Sequence, residues 1–296
     1  MSVKISIIVA THARPASLAR LLCSLKPQLV PGRHELYLGE NGTSAPTRIA
    51  DAGIELTHLH DARPGKCRIQ NRAIALATGE IVVFLDDDVV VTPDYVDAVQ
   101  HFFDSYPQFA AMKGRILPAE DPVTVAGPAA PYLDLPIVDH GEEVLEVGGV
   151  LGANMAFRAS ALRIVGPFNE RLGPGAAGHE EETELSQRLG RAGLRIGYSP
   201  HALVLHEVDP ARAARTRFIR VARERGYCRT LHEHHSPGKV AVKLAIAALR
   251  LTLARALGAS LMRIAREERR LAVAQGMRDG LRNHAEPTVA MSRFKD

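Results

Sequence analysis

Cysteine is scarce in this 296-residue sequence: only Cys23, Cys67 and Cys228, none in a CxxC pair. That scarcity excludes a disulfide framework and a cysteine-based zinc site, and it fits a reducing compartment. Long uncharged apolar runs are missing as well, since none approaches the roughly 18–20 residues that span a bilayer. The N-terminus lacks a signal-peptide pattern, because Lys4 precedes a short β-branched run that soon meets Thr11, His12 and Arg14. The expected location is cytoplasmic, either free or peripheral on the cytoplasmic membrane face. There is no internal repeat. Stacking residues are few in the basic C-terminal part, which offers only Phe218, Tyr227 and Phe294, so a nucleic-acid partner is not expected.

What is present is ordinary in composition and uneven in charge. A hydrophobic fraction of 46% and a charged fraction of 24% suit a soluble globular protein. Residues 1–210 hold 18 basic and 26 acidic side chains, a charge of −8, whereas residues 211–296 hold 19 and 7, a charge of +12. Such asymmetry separates a catalytic body from a part that meets polyanions or membrane.

Along the body, strand-like and helix-like periods alternate. Val3 to Ala10 reads as a β-branched strand, Leu36 to Gly39 as a second and Ile54 to Leu59 as a third. Leu18, Leu21, Leu22 and Leu25 have helical spacing after Pro15. Lys66 to Ala77 reads as a helix with Gly79 as its cap. Ile81 to Leu85 is a continuous apolar run, as expected of a strand buried on both faces. This rhythm predicts an α/β fold with a mostly parallel central sheet flanked by helices, whose ligands lie beyond the strand C-termini.

The residues that follow each apolar run are therefore the candidates. Thr11 to Pro15 follow the first, Glu40 to Thr43 the second, and Asp86, Asp87 and Asp88 follow Leu85. All three groups would share one sheet edge, as in a nucleotide site with a metal at its mouth. Three adjacent carboxylates repel one another, and a hard divalent cation relieves that while bridging to phosphate. In an extended segment Asp86 and Asp88 point one way and Asp87 the other. A solvated loop or a helix start at Asp88 or Asp94 fits the triplet alone equally well.

Here the sequence resembles a known family. ISIIVATHARPASLARLLCSL, LGENGTS and TGEIVVFLDDDVVVTPDYV are similar to the opening, second-strand and DxD segments of the family 2 glycosyltransferases. LGANMAFRASALRIVGPFNERL and HEEETELSQRLGRAGLRIGYSPHALVLHEV are similar to their acceptor-side half. The resemblance implies a GT-A fold over residues 1–208, with a nucleotide-binding half of about 1–117 and an acceptor-side half of about 118–208. Residues 209–296 would form a basic helical C-terminal extension. It implies an inverting, metal-assisted transfer from a nucleoside-diphosphate sugar to a hydroxyl of a glycan or lipid-linked acceptor. The rival readings are a non-catalytic nucleotide- or glycan-binding relative and a retaining GT-A enzyme. A sugar nucleotidyltransferase is disfavoured, because its Gly-rich, Lys-containing loop is missing after the first strand.

By the same resemblance, Ala10, Thr11 and Arg14 contact the donor nucleotide, with Glu40 at the usual Asp position near the base. Arg63 and Arg68 lie where the family supplies a basic group. Asp86 and Asp87 contact the nucleotide, and Asp88, Asp86 and His206 hold Mn²⁺ or Mg²⁺. The acidic helix start at Glu180 to Glu184 carries the base, at Glu182 in preference to Glu181. The proline-rich, aperiodic stretch from Leu117 to Val147 reads as a lid or binding loop. Gly148, Gly149, Gly152 and Asn154 read as turns, with close approach to the sugar as the alternative.

The tail is different in character. Arg212, Arg215, Arg217, Arg220, Arg223 and Arg225 recur as on an exposed basic helix. Val240 to Ile264 is apolar and helix-forming but carries Lys243, Arg250, Arg255 and Arg263, which disfavours spanning. An anionic membrane surface is the expected partner, with packing on the body or on a second copy as the alternative. His232, His234 and His235 read as an exposed loop rather than a metal site.

Overall fold

The structure, a computed structural model, describes residues 4–46 and 56–285, with side chains described to residue 283. Val3 and Ile54, which begin two of the expected strands, lie outside these residues. The chain forms two compact units. The first comprises Met1–Glu120, Leu135–Ala176 and Glu181–Val208, and the second Asp121–Asp134, Ala177–Glu180 and Asp209–Asp296.

The first unit opens with β1 (Ile5–Thr11), α1 (Pro15–Leu25), β2 (His34–Asn41) and β3 (Thr57–Asp61). Next come α2 (Lys66–Leu76), β4 (Ile81–Asp86), β5 (Val89–Val91), α3 (Tyr95–Ser105) and β6 (Phe109–Pro118). The short helix α4 (Pro122–Ala126) belongs to the second unit. The first then continues through β7 (Leu145–Val147), β8 (Asn154–Arg158), α5 (Ala159–Val165), α6 (Glu181–Arg191) and β9 (Arg195–His206).

These strands make one mixed sheet in the order β3-β2-β1-β4-β8-β6-β9-β5, with β7 paired to β9. The β3-β2-β1-β4 half is parallel throughout, and β6 pairs β9 parallel. Every residue of β1 is buried, and so are the first five of β4, which explains their unbroken apolar sequence. One face packs Ile7, Val9, Val83 and Leu85 with Leu21 and Leu25 of α1 and Val99 and Phe102 of α3. The opposite face packs Ile8, Val82 and Phe84 with Cys67 and Ala73 of α2 and Leu185 and Leu189 of α6. The α/β architecture expected from the sequence is the observed one, and both faces of the sheet are covered.

Some local expectations need correction. Helix α2 ends before Gly79, because Ala77 already turns extended at φ −62° and ψ 128°. Gly79 is small for another reason: a Cβ there would lie 2.6 Å from the Ser6 nitrogen and 2.8 Å from the Lys4 carbonyl oxygen. The stretch expected to be aperiodic contains α4, a 3₁₀ turn at Gly127–Tyr132 and an isolated bridge from Ile116 to Val138.

The second unit is built on α7 (Arg215–Arg229), α8 (Pro237–Ala256) and α9 (Leu261–Ala285). The apolar stretch read as one helix from Val240 to Ile264 is therefore two, broken where Gly258 adopts φ +62°. Helices α7 and α9 meet through small residues: a Cβ on Gly226 would strike the Val273 carbonyl, and one on Gly276 the Arg223 carbonyl. Many tail arginines are committed internally. Arg215 and Arg255 both reach the buried Glu268 at 2.7 Å, and Arg225 pairs with Asp134 at 2.8 Å. The exposed-loop expectation fails for His232 and His235, whose side chains are 3% and 15% exposed. His232 stands near Glu180, and His235 pairs with Glu233.

Candidate active site

Strands β1, β2 and β4 end at one edge, and the β4 carboxylates are distributed there among separate partners. The triplet is not extended: β4 ends at Asp86, and Asp87 and Asp88 form a turn before β5. Asp87 and Asp88 therefore converge rather than alternate, and one nitrogen of Arg14 reaches both, at 3.0 and 2.9 Å. Thr11 donates its hydroxyl to Asp87 at 2.6 Å. Burial raises the Asp87 pKa, and the Thr11 hydrogen bond and the Arg14 charge only partly offset it. Burial also works against the Arg14 charge, yet Asp87 and Asp88 together outweigh it and its pKa rises.

His206, at the end of β9, places Nε2 3.2 Å from Asp88 Oδ1. Its Nδ1 lies 2.8 Å from the Glu207 carbonyl oxygen, so Nδ1 carries the proton and Nε2 faces the carboxylate. Asp88 outweighs the effect of burial and raises the pKa of the imidazole.

Lys66 was not foreseen from the sequence. It opens α2 with its ammonium 2.6 Å from Asp86 Oδ1 and 3.8 Å from Glu181 Oε1, and its side chain is only 13% exposed. Burial opposes the ammonium charge, but Asp86 and Glu181 outweigh it and the pKa moves up. A lysine at a helix N-terminus opposes the macrodipole, and that anomaly was its one signal in the sequence. Asn41, one of the candidates after the second strand, donates to the Thr11 carbonyl at 3.2 Å and accepts from the Gly65 backbone at 3.0 Å, bracing three strand-end loops.

The acidic start of α6 divides its carboxylates. Glu181 is buried against Lys66, and burial followed by the Glu182 charge pushes its pKa up. Glu182 is half-buried, and its Oε2 has no hydrogen-bond partner. Its backbone carbonyl accepts from Ser186, whose oxygen in turn accepts from the Val150 backbone, which fixes the first helical turn. Lys113 on β6, also unforeseen, has its pKa lowered by burial, with the Glu182 charge working the other way.

Ala10 and Glu40 share this sheet edge, in register with Asp86 and Thr11. Ala10 is buried near the end of β1. Glu40 is 1% exposed, with His58 at 3.3 Å and the Thr43 hydroxyl at 3.2 Å. Arg63 is an exposed partner of Asp61, and Arg68 lies 3.5 Å from Glu170. Asn154 is fully buried and structural rather than a turn residue: it opens β8, accepts from Tyr95 and donates to the Arg115 and Ala202 carbonyls.

Among the described residues no group of three His, Cys, Asp or Glu side chains is arranged to hold a metal ion. The donor set nevertheless suits one. With Nδ1 tied to a carbonyl, Nε2 is the ring nitrogen aimed at the Asp88 carboxylate, which is the orientation a ligating histidine needs once Nε2 gives up its proton to an ion. Mg²⁺-type ions use one or two carboxylates and complete their shell with phosphate and water.

The sequence model of "Glycosyl transferase family 2" matches residues 6–123, and that of "Glycosyl transferase family group 2" matches residues 81–265. The pre-mycofactocin glycosyltransferase of Mycobacterium tuberculosis is 29% identical over 69% of this chain, which spans 42% of that relative's length. The glucosyl-dolichyl phosphate glucuronosyltransferase of Haloferax volcanii is 21% identical over 69% of each chain. In fold, the chain is similar to a mannosyltransferase from Pyrobaculum calidifontis solved with GDP-Man and Mn²⁺, at a TM-score of 0.64 and 18% identity. That match covers 95% of this chain and 88% of the other.

Proposed function

The chain belongs to the family 2 glycosyltransferases, and on that premise we propose that it transfers a sugar from a nucleoside-diphosphate donor to an acceptor hydroxyl with inversion. The observation that carries this reading is the reach of one ammonium group. Lys66 links Asp86 at the end of β4 to Glu181 at the start of α6, so the acidic strand end and the acidic helix start serve one site. Residues 1–208 would be the catalytic part and 209–296 an extension.

The donor diphosphate lies at the ends of β1 and β4, within reach of Thr11 and Arg14, where Asp86 and Asp87 take nucleotide hydroxyls. Asp88 and His206 would hold Mn²⁺ or Mg²⁺, which when bound neutralises charge on the departing diphosphate. The Pyrobaculum mannosyltransferase, solved with GDP-Man and Mn²⁺, supports that class of donor and ion. Glu182 is the base. Its carboxylate takes the proton of the acceptor hydroxyl as that oxygen bonds to the anomeric carbon. The bond from that carbon to the diphosphate oxygen breaks in the same displacement, and the nucleoside diphosphate leaves. Glu181 is buried and already faces the Lys66 ammonium, so it is the less available of the two.

The acceptor class is a glycan or a lipid-linked sugar, and the name of the Haloferax relative, which acts on a glucosyl-dolichyl phosphate, favours the second. The test is a thermal-shift screen of nucleoside diphosphates and their sugars with and without Mn²⁺, followed by donor hydrolysis. Metal-dependent stabilisation together with nucleotide release supports an enzyme. Stabilisation without release would make the protein a binder.

A further inference from the structure

Helix α8 shows an apolar face to solvent. Val242, Ile246, Leu249, Leu253 and Leu257 are 59%, 47%, 60%, 49% and 76% exposed. Their spacing of three and four residues keeps them in one stripe, opposite the buried Val240, Ala247, Leu251 and Ala254 that pack inward. Beyond the break, Leu261 and Met262 are also exposed, at 42% and 56%. Seven large apolar side chains in one run are far more than scattered surface residues need.

The charge around the stripe has one sign. No Asp or Glu occurs from Ser236 to Arg266. At about 3.6 residues per turn, Lys239, Lys243 and Arg250 fall along one edge of the stripe, and Ala241, Ala245 and Ala248 along the other. All three cations are exposed, and none is ion-paired to a described residue. The flanking acids in sequence are Glu233, which pairs with His235, and Glu267 and Glu268, which are buried and pair with arginine. Across a two-fold axis a second copy would set the same cations against each other without an acid to match them. An anionic lipid surface supplies the missing charge along the whole edge and takes up the apolar stripe as well. No helix of the described residues is long and apolar enough to cross a membrane, so the contact is along the surface.

We propose that the exposed face of α8, continued by Leu261 and Met262, is a membrane-docking surface that lies in the interface of a bilayer rich in anionic phospholipid. Lys239, Lys243 and Arg250 extend from the edge of the stripe to the headgroups while their alkyl stems stay with the apolar face. This assignment does not depend on the transfer reaction.

The test is co-flotation of the full chain with vesicles of phosphatidylglycerol and phosphatidylcholine, and with phosphatidylcholine alone, at low and high salt. The full chain floats with the anionic vesicles, and high salt weakens that binding without abolishing it, because salt screens charge and not apolar burial. Leu249→Glu with Leu253→Glu lowers partitioning more than tenfold. Lys239→Gln, Lys243→Gln and Arg250→Gln together lower it by about 100-fold, at about fivefold for each cation lost. All five side chains are exposed, so an unchanged melting temperature is expected and serves as the folding control. The proposal is overturned if the full chain ignores anionic vesicles at low salt, or if the leucine variant floats as well as the parent. It is also overturned if light scattering finds a dimer that the leucine variant dissolves, which would assign the face to a second copy.

Discussion

His206 Nε2 stands 3.2 Å from Asp88 Oδ1, and the other ring nitrogen is tied to the Glu207 carbonyl oxygen at 2.8 Å. One ring edge is thus fixed by backbone and the other is aimed at a carboxylate. If this pair holds the ion, Asp88→Ala or His206→Ala abolishes the Mn²⁺-dependent part of the donor-induced thermal shift. The apo fold should survive, because Arg14 keeps Asp87 as its partner at 3.0 Å. Unchanged Mn²⁺ dependence in both variants would remove the pair from the metal site.

Lys66 gives a stability prediction. Its ammonium neutralises Asp86 and faces Glu181 in a nearly closed environment. Lys66→Met leaves those carboxylates without their cation and is expected to cost about 3–5 kcal/mol, the usual penalty for breaking a buried pair from one side. Adding Asp86→Asn should recover part of that loss. Urea midpoints of the three proteins measure it, and a Lys66→Met variant as stable as the parent would contradict the ion-pair account.

Glu35 predicts a pH dependence remote from the site. Burial works against its charge, but hydrogen bonds from Lys4, Ser6 and Thr78 prevail and hold its pKa at about 2, below the ordinary 4.5. A depressed carboxylate pKa stabilises the fold above the unfolded value and loses that contribution as pH falls through the folded one. Glu35→Gln should therefore be less stable than the parent at neutral pH, and the difference should shrink between about pH 4.5 and about pH 2. Melting temperatures across that range check it. A constant difference would refute the linkage.

Much of this arrangement was legible in the sequence because strands buried on both faces write themselves as unbroken apolar runs. Ile81 to Leu85 could be read as a sheet strand for that reason, and the sheet edge followed from the residues after it. Lys66 could not be read as part of the site, since its partners lie 20 residues away at Asp86 and far along the chain at Glu181. Lys113 was hidden in the same way, in a strand whose burial nothing local betrays. The break at Gly258 escaped notice because its flanking sequence continues to favour helix, and only the positive φ ends it. The convergence of Asp87 and Asp88 was misread because alternation assumes an extended chain, and the chain turns there.

The central claim is that Glu182 removes the acceptor proton. Its most direct test is the single-turnover transfer rate of Glu182→Gln beside that of Glu181→Gln, with donor affinity measured in parallel on the donor identified by the nucleotide screen. Glutamine keeps the size and hydrogen bonding of the side chain but cannot take up the proton. The account predicts that Glu182→Gln binds donor like the parent and transfers about 10²–10⁴-fold more slowly, with Glu181→Gln less affected. Transfer by Glu182→Gln at the parent rate would contradict it.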